Sequence, residues 1–388
     1  MRSCISKRLD RVSPSGIRKF FDLLSGMEGV ISLGVGEPDF TTPWNITSAA
    51  IQSLEHGYTM YTSNSGMIEL RRELASYLKA TYRLEYDPET ELLITNGVSE
   101  GLDLAMRAVL EPGDEVIMSD PSYVAYPPSV ILADGVPVHV PTSAENDFKL
   151  SAADVEARIT EKTKAILIGY PANPTGAVME REGLFEIADV ARRHRLLVVS
   201  DEIYNLLVYD TEPVCFAALP GMKDQTVLLG GFSKAYAMTG WRIGYAAANA
   251  GIIAAMTKIH QYTALCAPTM GQIAALEALR SGEPEARRMI EEYDRRRRVI
   301  VKGLNDIGLT CFEPRGAFYA FPSIAVTGMS SEEFAERLLV EEKVAAVPGS
   351  AFGACGEGHV RCCYATSLGQ IEEALSRMGR FVAKHHRS

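Results

Sequence analysis

The sequence has no uninterrupted apolar run long enough to cross a bilayer. Its first residues, Met1-Arg-Ser-Cys-Ile-Ser-Lys-Arg-Leu-Asp10, carry charge without an apolar signal core. Neither a membrane-bound nor an exported chain is predicted, and a cytoplasmic protein is expected. The seven cysteines, at 4, 215, 266, 311, 355, 362 and 363, form no CxxC pair and no even framework, so neither a disulfide scaffold nor a zinc site is suggested. Cys362 and Cys363 adjoin in an apolar stretch and read as packing. The seven histidines show no ligand spacing, and no metal is expected. Neither a GxGxxG fingerprint nor a Walker loop occurs, which argues against a nicotinamide, flavin or P-loop nucleotide site. Positive charge is short as well. The 39 Lys and Arg against 49 Asp and Glu leave a net charge of −10, the wrong sign for a surface that holds nucleic acid. The run Arg295–Arg298 follows Glu291 and Glu292 in a helical pattern and is read as a solvated face.

What the chain does have is length and an ordinary apolar content. At 388 residues, 47% hydrophobic and 23% charged, it can bury a large core, and two domains are expected. Its middle alternates short apolar runs, closed by Gly, Pro or Asp, with amphipathic helical stretches. The runs are Leu92–Thr95, Glu115–Met118, Val136–Val140, Ala165–Gly169, Leu196–Ser200, Thr226–Leu229 and Gly244–Ala247; the helices include Ser99–Leu110 and Gly183–His194. This alternation predicts an α/β domain with a mostly parallel central sheet. Toward the C-terminus the character changes. A long helix is expected over about Pro284–Asn305, with Ile290, Tyr293, Arg297, Ile300 and Leu304 on one stripe. A capping box, Ser330 with Glu333, is expected to open a helix at Ser331–Glu342. Strands at Ala317–Phe321 and Val344–Val347 complete an α+β unit. The predicted division is a large domain at 45–285 and a smaller one made of 1–44 with 286–388.

Four features carry chemistry. Lys234 sits among Val227-Leu-Leu-Gly-Gly-Phe-Ser233 and Ala235-Tyr-Ala-Met-Thr-Gly-Trp241, where desolvation would favour a free amine able to attack a carbonyl. Alone it reads more readily as a snorkelling lysine. Asp201, with Tyr204 after it, ends the buried run Leu196–Ser200, where α/β folds place ligands; a helix cap is the alternative. The loop Gly169-Tyr-Pro-Ala-Asn-Pro-Thr-Gly176 fixes Asn173, whose amide can donate without becoming charged, although it also reads as a plain Pro-rich turn. In Thr95-Asn-Gly-Val-Ser-Glu-Gly101 a strand breaks at glycine and a helix begins, leaving backbone N–H groups that attract phosphate.

Their order, Asn173, Asp201 with Tyr204, Lys234 and then Arg242, all after strand ends of one sheet, resembles class I/II aminotransferases of fold type I. These enzymes depend on pyridoxal 5′-phosphate (PLP). The likeness runs over essentially the whole chain. It is carried by Gly36-Glu-Pro-Asp-Phe40, Tyr61 with Gly66, Pro121-Ser-Tyr123, Asn173-Pro-Thr-Gly176, Ser233-Lys234 with Gly240-Trp-Arg-Ile-Gly244, and His359-Val-Arg-Cys-Cys-Tyr-Ala365. The wording of Tyr293-Asp-Arg-Arg-Arg297 and Val347-Pro-Gly-Ser-Ala-Phe-Gly353 is most similar to archaeal aromatic and aspartate aminotransferases.

The resemblance implies roles. Lys234 would hold PLP as a Schiff base and later shuttle the substrate Cα proton. Asp201 would pair with the pyridinium nitrogen, an arrangement general to PLP enzymes. Asn173 and Tyr204 would bond the phenolic oxygen, and Tyr123 would stack on the ring. Val98, Ser99 and Arg242 would hold the phosphate, with Ser233 or a water in place of the usual serine, joined by Tyr61 from a second subunit, which implies a homodimer with shared active sites. Arg361 and the Gly36 backbone, with Asn173, would take the substrate α-carboxylate. Two positions depart from the family: Gly231 stands where a phosphate-binding serine is usual, and Ser99 where aspartate-specific bacterial relatives carry lysine. The expected reaction is transfer of the amino group of an L-amino acid, aromatic or broad-range and extending to aspartate, to 2-oxoglutarate by a ping-pong mechanism. Two alternatives are a PLP-dependent β-lyase on the same fold and a non-enzymatic aminotransferase-like regulator. The latter needs a DNA-binding segment, for which the stretch before Ile31-Ser-Leu-Gly34 is expected to leave no room.

Overall fold

All seven apolar runs of the middle region pair into one sheet. The computed structural model describes residues 4–14 and 27–386; residues 1–3, 15–26 and 387–388 lie outside the described residues, so part of the segment assigned to the smaller domain does too. The strands are β1 (Ile31–Ser32), β2 (Leu92–Thr95), β3 (Glu115–Asp120), β4 (Val136–Pro141), β5 (Thr163–Ile168), β6 (Leu197–Asp201), β7 (Thr226–Gly231), β8 (Gly244–Ala247), β9 (Tyr319–Ala320), β10 (Val344–Ala345), β11 (Val347–Pro348) and β12 (Val360–Cys363). The seven-stranded sheet has the order β2-β8-β7-β6-β5-β3-β4. Its central strands are apolar on both faces because helices cover both sides; Val198, Val199, Val227 and Leu229 are fully buried. Each such side chain contributes roughly 1.5–3 kcal/mol by leaving water.

One strand runs against the rest. β8 pairs antiparallel with both β2 and β7, with Gly244 opposite Thr95 on one side and Gly231 on the other. It is therefore the start of β8, not its end, that reaches the edge where the other strands finish. Arg242 accordingly precedes a strand, which corrects the expectation that every site residue follows one.

Three of the predicted helices form with ends displaced by one or two residues, Val98–Val109, Arg181–Arg193 and Glu283–Asp306, and the fourth, Ser331–Glu342, forms residue for residue. Ser330 Oγ accepts from the Glu333 N–H at 3.2 Å, but the Glu333 carboxylate turns to Arg337 Nη1 at 3.4 Å. The capping box is thus only half formed, because an i,i+4 cation competes for its acid.

Two expected strands differ. Ala317–Phe321 shortens to the ladder Tyr319–Ala320, and Val344–Val347 divides at Ala346. Before that residue the chain pairs parallel with β1, and after it antiparallel with β12. A run that changes partners between sheets cannot be one strand.

The arginine run also departs from its reading. Arg295 and Arg298 are solvated, but Arg296 and Arg297 are only 6% and 1% exposed. Arg297 donates to Asp294 and Glu313 at 2.8 Å and to Asp210 at 2.6 Å, and Arg296 reaches Asp39 at 2.7 Å and Glu292 at 3.0 Å. With a partner for each donor face, burial of the guanidinium is offset. The Arg296–Asp39 pair ties the loop that begins at Gly36 to the long helix, and so helps place one wall of the site.

Candidate active site

The carboxyl ends of β2, β3, β5, β6 and β7 and the start of β8 meet at one cavity of about 440 Å³. Crevices at this edge of an open α/β sheet are where ligands bind. Lys234, Asp201, Tyr204, Asn173, Arg242, Arg361, Val98, Ser99, Tyr123, Ser233 and Gly36 all line it. Tyr61 does not. It is 81% exposed on the outer surface, close to Met60 and Ala264.

At one end of the cavity the helix Val98–Val109 begins at Gly97, whose φ of +76° suits glycine. A Cβ on Gly97 would lie 2.6 Å from Arg242 Nη2, and one on Gly244 would lie 2.6 Å from Val98 N. The two glycines let the guanidinium and the opening N–H groups of the helix approach each other. Together they form a cradle for an anion. The bare Gly231 has a local cause as well: a Cβ there would come 3.1 Å from Ile243 O across the β7–β8 pair.

Asp201 ends β6 and is buried. Its Oδ2 accepts from Tyr126 Oη at 2.9 Å and its Oδ1 from Ile203 N at 3.2 Å. Burial pushes its carboxyl up to about 6, against the pull of those two donors. The adjacent Glu202 faces away from the cavity, accepting from Ser200 Oγ at 3.0 Å and Phe216 N at 2.9 Å. One acid of the Asp-Glu pair serves the cavity and the other holds the fold.

A raised carboxyl has a pH consequence with a definite sign. The folded, cofactor-free protein holds the Asp201 proton more tightly than the unfolded chain does. That contribution to stability is present at about pH 4 and is lost as pH rises through about 6. Asp201→Asn, freed of cofactor, is therefore expected to be more stable than the parent above pH 7, by up to about 3 kcal/mol. The gap should close toward pH 4. Denaturant titrations across this range check it; a gap independent of pH would contradict the stated cause.

Lys234, half-buried in the loop after β7, donates to Gly36 O at 2.6 Å. Burial, joined by the nearby Arg361 and Arg242, lowers its ammonium to about 8 against the opposite pull of Cys363 and Glu37. A sizeable neutral fraction exists near physiological pH.

Arg361, on β12, is 2% exposed. Its Nη1 donates to Asn173 Oδ1 at 2.9 Å and its Nη2 to Gly34 O at 2.6 Å, while its buried Nε has no partner among the described residues. An orphaned donor on a buried guanidinium is costly unless an acceptor arrives.

Two tyrosines of the cavity were not singled out from the sequence. Tyr126 stands three residues after Tyr123, a spacing that puts both on one face where the helix Tyr126–Leu132 begins; their rings meet edge to face at 5.5 Å. Tyr319 lies in the expected strand Ala317–Phe321, but nothing in that apolar run marks its hydroxyl as functional. In the fold the Tyr319 hydroxyl is 2.6 Å from that of Tyr204.

A phosphate-bearing pyridine aldehyde suits this donor set: an anion cradle at the helix start, a carboxylate for a ring nitrogen, and an amine of lowered basicity, all lining one cavity. The comparisons point the same way. Residues 28–378 match the family described as aminotransferase class I and II. YugH of Bacillus subtilis is 57% identical over 384 residues, with 99% of this chain and 100% of that protein covered. An aspartate aminotransferase of Pyrococcus abyssi is 48% identical, covering 97% of this chain and 98% of its own length. The crystal structure of an aromatic aminotransferase from Pyrococcus horikoshii superposes with a TM-score of 0.90 at 44% identity, covering 94% of this chain and 99% of that one. The fold is therefore that of the fold-type I enzymes, and the chain belongs to the class I and II aminotransferases.

Proposed function

We propose that this aminotransferase uses PLP to move the amino group of an L-amino acid to 2-oxoglutarate in two half-reactions at one site, the ping-pong scheme. The donors are aromatic or broad-range and extend to aspartate. The observation that carries the reading is the meeting, in one cavity, of the Lys234 amine, the buried Asp201 carboxylate and the Arg361 guanidinium with its unpartnered Nε. The names of the relatives, an aspartate enzyme of Pyrococcus abyssi and an aromatic one of Pyrococcus horikoshii, support the donor range. So does the distribution of cations. Lys234, Arg242 and Arg361 are the only Lys or Arg side chains lining the cavity among the described residues, and each already has an assignment. None is left over to demand a distal carboxylate on the donor.

Lys234 would carry the cofactor, with its phosphate on the N–H groups of Val98 and Ser99 and on Arg242, and with Ser233 and a partner's tyrosine at position 61 in support. Tyr123 would lie against the ring. When bound, PLP supplies an electron sink that makes the substrate Cα–H bond acidic. The protein does the rest. Asp201 keeps positive charge on the ring nitrogen. Asn173 and Tyr204 offer N–H and O–H donors to the phenolic oxygen. Arg361 takes the α-carboxylate in its fork, beside the Gly36 backbone, and so fixes which Cα bond is presented. Once the donor's own amine has replaced it on the cofactor, Lys234 Nζ would be free to accept the Cα proton, a task suited to an amine whose basicity burial lowers.

The same proposal includes a homodimer, a cytoplasmic location and the division into residues 45–285 and 1–44 with 286–388. The dimer reading is supported by Trp44, Met60, Tyr61 and Tyr262, which are 73%, 78%, 81% and 85% exposed. Met60 and Tyr61 adjoin at one surface hollow, an exposed apolar patch of the kind a partner covers. Among the described residues no helix is long and apolar enough to cross a membrane.

The test is a panel of donors with 2-oxoglutarate. Tyrosine and phenylalanine are expected to turn over at least as well as aspartate, with alanine slower, and glutamate should appear in step with donor consumed. Turnover of aspartate alone would overturn the donor range. Release of ammonia and pyruvate from a β-substituted amino acid, without glutamate, would replace transfer by elimination.

A further inference from the structure

Tyr204 and Tyr319 share a single hydrogen bond in which either oxygen can donate, and both side chains are buried. A phenol has one proton. If Tyr204 spends its proton on Tyr319, it has none for the cavity; if Tyr319 donates, Tyr204 keeps its proton free. Tyr319 is also placed to touch the other half of the site. The face of its ring carries the Arg361 guanidinium, 4.5 Å from the centroid. Its hydroxyl is seated against Gly36, where a Cβ would come within 2.5 Å of Tyr319 Oη, and the Gly36 carbonyl is the acceptor for Lys234.

We propose that Tyr319 is a positioning residue that links the two ends of the reacting unit: its hydroxyl donates to Tyr204 and thereby commits the Tyr204 proton to the cofactor's phenolic oxygen, while its ring seats Arg361 for the substrate carboxylate. The inference rests on the assignment of Tyr204 made above. Two donors in series polarise each other, so the Tyr319 bond strengthens the one Tyr204 makes. A stronger bond draws electron density from the phenolic oxygen and weakens its hold on the proton of the neighbouring imine. Removing the Tyr319 hydroxyl should therefore make that imine more basic.

The groups that face this pair are Lys234, whose Nζ is 5.7 Å from the Tyr204 ring centroid, Arg361, Cys363 on β12, and Tyr123 beside Tyr319. Tyr319→Phe leaves all of them in place and keeps the ring under Arg361. A change in titration then reports the lost hydroxyl.

The experiment is a pH titration of the visible absorbance of the holoenzyme, with PLP bound to Lys234. Tyr319→Phe is expected to raise the midpoint by about half a pH unit. Tyr204→Phe should raise it further, and the double variant should match Tyr204→Phe alone, because the Tyr319 hydroxyl reaches the imine only through Tyr204. KM for the amino donor should stay near that of the parent in Tyr319→Phe and rise about tenfold or more in Tyr319→Leu, which removes the platform for Arg361. An unmoved midpoint in Tyr319→Phe, with Tyr204→Phe shifted, overturns this inference and leaves the assignment of Tyr204 intact, as does a double variant whose shift is the sum of the two. If Tyr204→Phe itself leaves the midpoint unmoved, the assignment of Tyr204 fails and this inference fails with it.

Discussion

Lys234→Ala is expected to lower turnover by at least about 10⁴-fold and to abolish covalent retention of PLP. The size follows from two duties falling on one amine. Under the proposed assignment the cofactor would then be held by its non-covalent contacts alone, the helix start, Arg242 and Asp201 among them, and no group of suitable basicity would stand where the Cα proton must go. The Gly36 carbonyl that now accepts from Lys234 is far too weak a base to take a carbon-bound proton, so it cannot substitute. Borohydride reduction followed by mass measurement reads the covalent link, and single-turnover kinetics read the proton transfer. A variant that kept both would remove Lys234 from the chemistry. Soluble primary amines offer a further discrimination: partial restoration of turnover by added amine is expected if the missing function is the base, because a small amine can enter the gap left by the side chain.

Arg361→Lys is expected to cut kcat/KM for aromatic donors by at least about 10³-fold while leaving PLP binding close to that of the parent. The two side chains share a charge but not a shape. Arg361 spends Nη1 on Asn173 and Nη2 on Gly34 and still has Nε to present. A lysine has a point ammonium that cannot span those acceptors and a carboxylate together. The loss should therefore appear with substrates that have the α-carboxylate and vanish with those that lack it. Comparing tyrosine with tyramine makes this concrete: the parent's preference for tyrosine should collapse in the variant. If the preference survives, the carboxylate is held elsewhere.

The sheet was legible in the sequence because its strands are buried on both faces and so read as continuous apolar runs; β2 and β8 were placed residue for residue. The direction of β8 was not legible. Nothing in Gly244–Ala247 distinguishes an antiparallel strand from a parallel one, since direction is set by the length and turns of the connection through residues 232–243. Toward the C-terminus, short ladders such as Tyr319–Ala320 owe their pairing to neighbours distant in sequence and give little local signal. Arg296 and Arg297 were misread for a related reason. Charge pattern marks a helix face, but only the fold brings Asp39, Asp210 and Glu313 to it.

Within the cavity, Lys234 and Asp201 were visible beforehand because their types are chemically demanding, an amine among apolar neighbours and an acid at a strand end, whereas Arg361 was reached only through the family resemblance of residues 359–365, whose strand was not foreseen. Tyr126 and Tyr319 escaped notice because a tyrosine in an apolar run is fully explained by packing, and only geometry shows what its hydroxyl meets. The acid that Tyr126 serves was legible; the phenol that supports it was not.

The reversed direction of β8 has a mechanical consequence. Lys234 and Arg242 belong to one closed excursion of the backbone, clamped at its base by the pairing of Gly231 with Gly244. Under the proposed assignment, the covalent tether of the coenzyme and the main charge opposite its phosphate are thus mounted on a single bracket. The span between them depends on a dozen local residues and hardly at all on the remote parts of the chain. Side chains that shape the donor pocket can then drift, as they must to turn an aspartate enzyme into an aromatic one, without detuning the coenzyme's mounting.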